Sequence, residues 1–174
     1  ALTKTGYTTD YITVEYGIIN GYVYSLLLLP SFFTMAISNA LLPVVSHSYS
    51  NRNFSYTKYK IKQAIGISLV IGIPCTILFM WFPEYFLKFI YNTSEGLSYI
   101  KVIAPIFLLH YIQGPLTASM QAMGKAKEAM MGTFYGSVIR LLLLLILSFL
   151  HIGMWGLLTA TLVNITFITI HHFY

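Results

Sequence analysis

Arg140 is the most unusual polar residue of this sequence, because its charged side chain lies deep within an apolar run. The run TFYGSVIRLLLLLILSFL covers residues 133–150 and is long enough to cross a bilayer as a helix. A charge at that depth is costly, and it normally faces a partner, a cavity or a substrate. A guanidinium also matches the geometry of phosphate, to which it can donate two parallel hydrogen bonds. The functional interpretation of Arg140 is therefore an anionic ligand.

A structural role for Arg140 is the alternative. The side chain could lock two helices through a salt bridge or a carbonyl contact, or it could extend to the membrane interface. Arg140 lies about ten residues from either end of the predicted span 129–150, roughly 15 Å at the helical rise, which opposes full extension to the interface. The residues one and two turns before it, Thr133, Gly136 and Ser137, are small or polar and predict room for a head group or water. Both interpretations stay open.

Three other polar residues are weaker candidates for lining a cavity. His110 and Gln113 are one turn apart and share a helix face. They precede Gly114–Pro115, where we expect a break or bend. Asn39 lies on the first predicted span with several small polar residues. Broken helices near polar groups often mark transport sites, but such residues also join helices to one another.

Enzyme chemistry has little support in this sequence. The five acidic residues lie in predicted loops or at span ends, and they are Asp10, Glu15, Glu84, Glu95 and Glu128. There is no HExxH, CxxC, glycine-rich phosphate loop or G-x-S-x-G, and the five histidines lack metal-ligand spacing. We predict no catalytic residue, no metal and no cofactor. A membrane enzyme would have to use Glu84 or His47, and neither has a catalytic partner nearby in the sequence.

The composition predicts an integral membrane protein. The 174 residues are 57% hydrophobic and only 9% charged, whereas soluble domains carry about 25% charged residues. The net charge is +5, but the basic residues fall in predicted loops between spans. Membrane orientation explains them there, and we predict no nucleic-acid partner.

We predict an all-α fold of about five transmembrane helices that follow an external loop at residues 1–16. The predicted spans cover about residues 17–45, 64–82, 98–123, 129–150 and 154–172. Pro30 and Pro43 predict kinks in the first span. The polar stretch 46–63 predicts a cytoplasmic loop with interfacial character.

The distribution of basic residues predicts the orientation in the cell membrane. Loops assigned to the cytoplasm contain Arg52, Lys58, Lys60, Lys62, Lys125 and Lys127, and segments assigned to the outside contain Lys4, Lys88 and Lys101. Cytoplasmic loops carry an excess of lysine and arginine. We therefore expect the N-terminus outside and the C-terminus in the cytoplasm.

Three stretches together resemble a known family. They are ALLPVVSHSYS at residues 40–50, SMQAMGKAKEAMMGTFYGSVIRLLLL at residues 119–144 and HIGMWGLLTATLVN at residues 151–164. Their order and spacing resemble the polysaccharide-export and lipid-flippase branch of the multidrug/oligosaccharidyl-lipid/polysaccharide (MOP) superfamily. Within that branch the likeness is to the stage V sporulation protein B type, which is similar to the lipid II flippase.

The resemblance implies a transporter of about fourteen helices in two lobes, working by alternating access, of which this chain would be a middle fragment. The family's frequent lysine falls on Arg140, which keeps the positive charge. A common glutamate of the family falls on His47, so this chain lacks the family's carboxylate at that position. Where the family segment has a glycine after its glutamine, this chain has Ala122.

The expected function is a flippase for a lipid-linked oligosaccharide or peptidoglycan precursor, with a role in cell-wall biogenesis or sporulation. Arg140 would contact the pyrophosphate of an undecaprenyl-linked carrier, with His110, Gln113 and Asn39 lining the cavity. The expected partners are this carrier, membrane lipids and the missing remainder of the transporter. The alternatives are a multidrug or cation antiporter of the same superfamily and a non-transporting membrane assembly subunit.

Overall fold

The computed structural model describes residues 6–150 and 152–173, and every regular element within them is a helix, which confirms the all-α prediction. The α-helices are α1 Thr9–Gly17, α2 Ser25–Leu28, α3 Ser31–Ser50, α4 Phe54–Trp81, α5 Pro83–Tyr91, α6 Leu97–Ala122, α7 Ala126–Leu147 and α8 Trp155–Phe173. A π-helical segment, Ile18–Tyr24, joins α1 to α2. Lys4, within the predicted external loop, and His151, in the third family-like stretch, lie outside the described residues.

Four helices, α4, α6, α7 and α8, are long and apolar enough to cross a membrane. The helices Thr9–Leu28 and Ser31–Ser50 pass the same test together, with a bend of 52° between them. The number of spans is therefore four, or five if the bent pair is one span, which confirms the prediction of about five.

The first span is broken where the sequence places Pro30. Pro30 has no N–H to donate and lies between α2 and α3, so the helix changes direction there. Pro43, by contrast, lies inside the continuous helix α3. The chain is already helical from Thr9, where the Thr8 hydroxyl accepts a hydrogen bond from the Tyr11 N–H at 3.3 Å. Residues 9–16 are thus helical, although the sequence indicated a loop.

The basic stretch 46–63 forms a tight helical hairpin instead of a loop. α3 ends at Ser50 and α4 begins at Phe54, with Arg52 in the left-handed region at φ 56°. Across the hairpin the buried hydroxyls of Ser48 and Thr57 lie 2.7 Å apart. This contact fixes the start of α4 against the end of α3.

Helix α6 forms the centre of the bundle and packs against α3, α4 and α8. Its fully buried Tyr111 donates a hydrogen bond to the Leu27 carbonyl at 2.7 Å. The expected bend at Gly114 and Pro115 stays a prediction, but α6 continues as one helix through this pair and is not broken there. The reason is packing: a Cβ on Gly114 would lie 2.7 Å from the Ser38 Oγ of α3, so the glycine serves a close helix contact.

Candidate functional site

Arg140 lies on the face of α7 that carries Gly132 and Gly136, and this face packs closely against α8. Gly132 faces His171, and a Cβ added to Gly136 would come within 2.6 Å of the Asn164 Oδ1. The two antiparallel helices therefore approach each other at the separation that only glycine permits. Arg140 comes one turn after Gly136, so its side chain leaves α7 on the same side.

The small residues before Arg140 do not leave open space on the α8 side. Gly136 is buried beneath α8. Thr133 and Ser137 are exposed, and their hydroxyls donate to the carbonyls of Ala129 and Thr133 in their own helix. The expected room for a head group beside Gly136 is therefore taken by helix packing, and a ligand of Arg140 has to approach from another direction.

Arg140 is less central in its helix than the sequence indicated. Because α7 covers Ala126–Leu147, Arg140 lies seven residues from its C-terminal end, or about 10 Å at the helical rise. The side chain is nevertheless half-buried, and its Nε is buried without a hydrogen-bond partner among the described residues. The ion pair found within the described ranges joins Lys88 to Glu84, at a different site.

Tyr24 is an electrostatic neighbour of Arg140 that the sequence did not indicate. It ends the π-helical segment, and its hydroxyl interacts with the Arg140 charge and lies beside the Thr161 side chain. The Tyr24 hydroxyl is buried and has no hydrogen bond of good geometry with a described residue. The Thr161 hydroxyl donates its own proton to the Leu157 carbonyl at 2.9 Å. π-Helical turns occur often at functional sites.

Asn164 adds a third buried polar atom without a partner. It lies one turn after Thr161 on α8, and its Oδ1 is buried with no hydrogen bond to a described residue. We call Tyr24, Arg140, Thr161 and Asn164 the Arg140 cluster. The large majority of buried polar atoms in proteins have at least one hydrogen-bond partner. The Arg140 cluster contains three of the seven buried side-chain atoms that have no hydrogen-bond partner among the described residues, which makes it a candidate site for a polar ligand.

The chemistry of the Arg140 cluster suits an oxygen-rich anion. Arg140 supplies the positive charge and N–H donors, and the Tyr24 hydroxyl supplies a further donor. The Asn164 carbonyl oxygen can accept a hydrogen bond from a hydroxyl of the same ligand. Hydrogen bonds from a charged donor are roughly twice as strong as neutral ones, and more so away from water.

Gln113 makes a structural contact. Its Nε2 donates to the Ile165 carbonyl at 2.8 Å and to the Thr169 hydroxyl at 2.9 Å, both on α8. Both amide protons are therefore used to join α6 to α8. These two donors are therefore occupied by α8, and the predicted cavity-lining role of Gln113 stays a prediction.

His110 lies next to the cluster without being part of it. The imidazole is half-buried, lies beside Gln113 and is 5.0 Å from the Phe107 ring, measured between centroids. Phe107 in turn stacks on Tyr24 at 6.2 Å. The Phe107 ring thus lies between His110 and Tyr24.

Asn39 is not brought to the other candidates. It is exposed on α3, the helix that packs against α4 and α6. The buried side of α3 carries Thr34, Ser38 and Leu41 instead. Of the four residues that the sequence singled out, the structure places His110 and Gln113 near the α6–α8 contact, Arg140 in the cluster and Asn39 apart.

Two cluster residues were missed in the sequence, Tyr24 and Asn164. Asn164 had a usable signal, because an amide in the apolar run TLVNITFIT costs free energy unless it is paired. Tyr24 had none, since tyrosines are common in this chain and at membrane interfaces.

The two ends of the bundle differ in charge. One end, formed by the α3–α4 and α6–α7 turns, holds six basic residues and one acidic residue: Arg52, Lys58, Lys60, Lys62, Lys125, Lys127 and Glu128. The other end holds four acidic and two described basic residues: Asp10, Glu15, Glu84, Glu95, Lys88 and Lys101. There Tyr99 donates a hydrogen bond to Glu15 at 2.6 Å. We call the first the basic end.

Comparison with known proteins gives a consistent result. Residues 20–146 match the MatE family. The chain is 32% identical over 173 residues to "Stage V sporulation protein B" of Bacillus subtilis (strain 168), covering 99% of this chain and 33% of that protein. It is 24% identical over 160 residues to "Sporulation protein YkvU" of the same organism, covering 91% of this chain and 36% of that protein. The chain thus spans about a third of the length of these relatives. No solved structure matches it.

Proposed function

Because this chain belongs to the MatE family of MOP-type membrane transporters, we propose that it is part of a flippase for a lipid-linked oligosaccharide or peptidoglycan precursor. The carrier would be of the undecaprenyl pyrophosphate type. The chain would contribute five spans of a longer two-lobe transporter, and the rest of that transporter would complete the central cavity and its alternating access.

The observation that carries this proposal is the unsatisfied Arg140 cluster. A pyrophosphate offers several acceptor oxygens, so one group could take hydrogen bonds from both Arg140 and Tyr24. A sugar hydroxyl near the pyrophosphate could donate to the Asn164 Oδ1. The same ligand would thus satisfy the three buried atoms of the Arg140 cluster that have no hydrogen-bond partner among the described residues.

The charge difference between the ends supports an orientation with the basic end in the cytoplasm. The N-terminus would then be outside and the C-terminus inside. Arg140, seven residues from the outer end of α7, would meet the carrier in the outer part of the membrane, late in its transfer.

The second candidate is a multidrug or cation antiporter of the same superfamily. A cationic drug would be repelled by Arg140, and the described spans carry no carboxylate beside it. Carboxylates within the membrane are the common means of proton and sodium coupling. This alternative therefore needs acidic residues from outside the chain.

A membrane assembly subunit is the third candidate. That role predicts an Arg140 paired with a carboxylate or carbonyl that joins two helices. The buried Nε has no such partner among the described residues, and the α7–α8 contact is made by glycines instead. This observation favours the ligand-binding role.

The proposal is tested by binding undecaprenyl pyrophosphate to the purified protein in detergent, followed by native mass spectrometry. Arg140→Gln removes the charge with little change in size, and we expect affinity to fall about tenfold to a hundredfold, as for loss of a charge-assisted hydrogen bond. Arg140→Lys should retain part of the affinity, because the charge remains but the planar fork is lost.

Lys101→Gln is the matched control, since it removes one exposed charge near the outer end of α6. It should bind the carrier like the unmodified protein. Equal affinity of Arg140→Gln and Lys101→Gln for the carrier would overturn the assignment of Arg140 to the pyrophosphate. Loss of fluorescent carrier transfer by the full-length transporter carrying Arg140→Gln in proteoliposomes, with transfer retained in the control, would extend the result from binding to transport.

A further inference from the structure

A groove of about 400 Å³ opens at the basic end, far from the Arg140 cluster. It lies between the start of α4 and the last turns of α6 and α8. Its floor is apolar and includes Ile61, Ile65, Leu116 and Met123. Arg140 is 14 residues from Ala126, where α7 leaves this end of the bundle, or about 21 Å along the helix.

Two lysines stand at the rim of the groove. Lys58 and Lys62 are four residues apart on α4, so they lie on one face of the helix, and both line the groove. Both are exposed, and neither has a hydrogen bond or ion pair with a described residue. Two ammonium groups without a counter-charge thus border an apolar surface.

Lys60, between them in sequence, has a different environment. It donates a hydrogen bond to the Gln63 amide oxygen at 3.0 Å, and it lies 5.3 Å from the Tyr56 ring centroid. It lines another surface, on the α3 side of α4. The helix therefore separates its lysines into a pair directed to the groove and one occupied by its neighbours.

We propose that this groove binds an anionic phospholipid, with the phosphate between Lys58 and Lys62 and an acyl chain along the apolar floor. Basic pockets between transmembrane helices on the cytoplasmic side are suited to acidic lipid head groups. None of the residues that line the groove is acidic. A zwitterionic lipid would bring its own ammonium group towards the lysines and bind less well.

The backbone at the rim is held in place for such a contact. The hydrogen bond between Ser48 and Thr57 fixes the start of α4, one residue before Lys58. On the opposite wall, the His172 ring is bound on both nitrogens, by the Thr117 hydroxyl at 3.0 Å and the Ala129 carbonyl at 3.2 Å. A preformed groove loses less conformational entropy on binding.

The test compares phosphatidylglycerol with phosphatidylcholine of the same acyl chains, each titrated onto the delipidated protein in detergent and counted by native mass spectrometry. We expect the unmodified protein to retain phosphatidylglycerol about tenfold more strongly, the size expected of one charge-assisted contact. The variant Lys58→Gln/Lys62→Gln should lose this preference. The variant Lys60→Gln/Lys125→Gln has the same net charge and should keep it.

Two results would overturn the proposal. Equal retention of both lipids by the unmodified protein would show an unselective lipid contact. Equal loss of preference in both double variants would show that the overall charge of this end, and not the groove, selects the lipid.

A third measurement tests the apolar floor. Glycerol phosphate carries the charge without acyl chains, and we expect it to displace phosphatidylglycerol only weakly. Displacement as effective as that by a short-chain phosphatidylglycerol would mean that the floor takes no part, and the site would then be one for small anions.

Discussion

Gly136 and Asn164 face each other across the α7–α8 contact so closely that one methyl group on the glycine would lie 2.6 Å from the asparagine Oδ1. This contact sets the distance between α7, which carries Arg140, and α8, which carries Thr161 and Asn164. It also holds the Asn164 oxygen in a buried position without a partner. The geometry of the candidate site therefore depends on a glycine that does not itself bind anything.

Gly136→Ala should push α7 and α8 apart. The added methyl would also lie 2.6 Å from the Ile168 side chain, and overpacking of this kind costs about 1–3 kcal/mol. We expect a lower thermal unfolding temperature in detergent and weaker carrier binding. Gly66→Ala is the control, since nothing lies within 4 Å of its added methyl. An unfolding temperature equal to that of Gly66→Ala would contradict the close packing at Gly136.

Tyr24→Phe should separate binding from stability. The Tyr24 hydroxyl has no good hydrogen bond within the described residues, so its removal should leave the unfolding temperature unchanged. If the hydroxyl contacts an anionic ligand, the affinity for undecaprenyl pyrophosphate should fall about tenfold. Titration of the carrier by native mass spectrometry measures this.

Tyr22→Phe is the companion variant to Tyr24→Phe. Tyr22 belongs to the same π-helical segment, but its ring packs on Tyr91, with 5.1 Å between centroids. Carrier affinity should not change in Tyr22→Phe. A loss of affinity of similar size in both variants would attribute the effect to the segment as a whole.

Gln113→Leu should destabilise the protein without removing ligand binding. The amide donates two hydrogen bonds to α8, and such contacts between membrane helices contribute about 0.6–2 kcal/mol. We expect a lower unfolding temperature and an unchanged affinity for the carrier. Asn39→Leu, at an exposed position of α3, should change neither. Lost affinity with unchanged stability in Gln113→Leu would return this residue to the ligand site.

The Glu84–Lys88 ion pair predicts a titration at the end of the bundle opposite the basic end. Lys88 Nζ lies 2.6 Å from the Glu84 carboxylate on α5, and the resulting hydrogen bond and charge lower the pKa of Glu84 below its ordinary value. A lowered pKa in the folded state means that the pair stabilises α5 above the ordinary pKa of glutamate, and that this contribution disappears as the pH falls through the lowered value.

NMR titration of the Glu84 side-chain carbon measures this pKa directly. Lys88→Gln should raise it towards the ordinary value. Because both side chains are exposed, the variant should have little effect on overall stability. An unchanged pKa in Lys88→Gln would show that the pair does not form in solution.

The helices themselves could be predicted from local sequence, and so could several of their ends. Long apolar runs indicated the spans, and Pro30 marked the break in the first of them. Gly114–Pro115 shows the limit of such signals. The same two residues that favour a break are held within a continuous helix because α3 packs against Gly114.

The sequence by itself determined that this is a helical membrane protein with a costly charge at Arg140 and a concentration of basic residues at one end. Those properties follow from composition and from periodicities of a few residues, which are local. Only the tertiary structure showed that Gly136 packs against α8 and that the Gln113 amide donates its hydrogen bonds to α8. It also showed that the Tyr24 hydroxyl is an electrostatic neighbour of Arg140. Each of these depends on which helix faces meet, and shape complementarity between segments far apart in the chain decides that, beyond the reach of any local pattern.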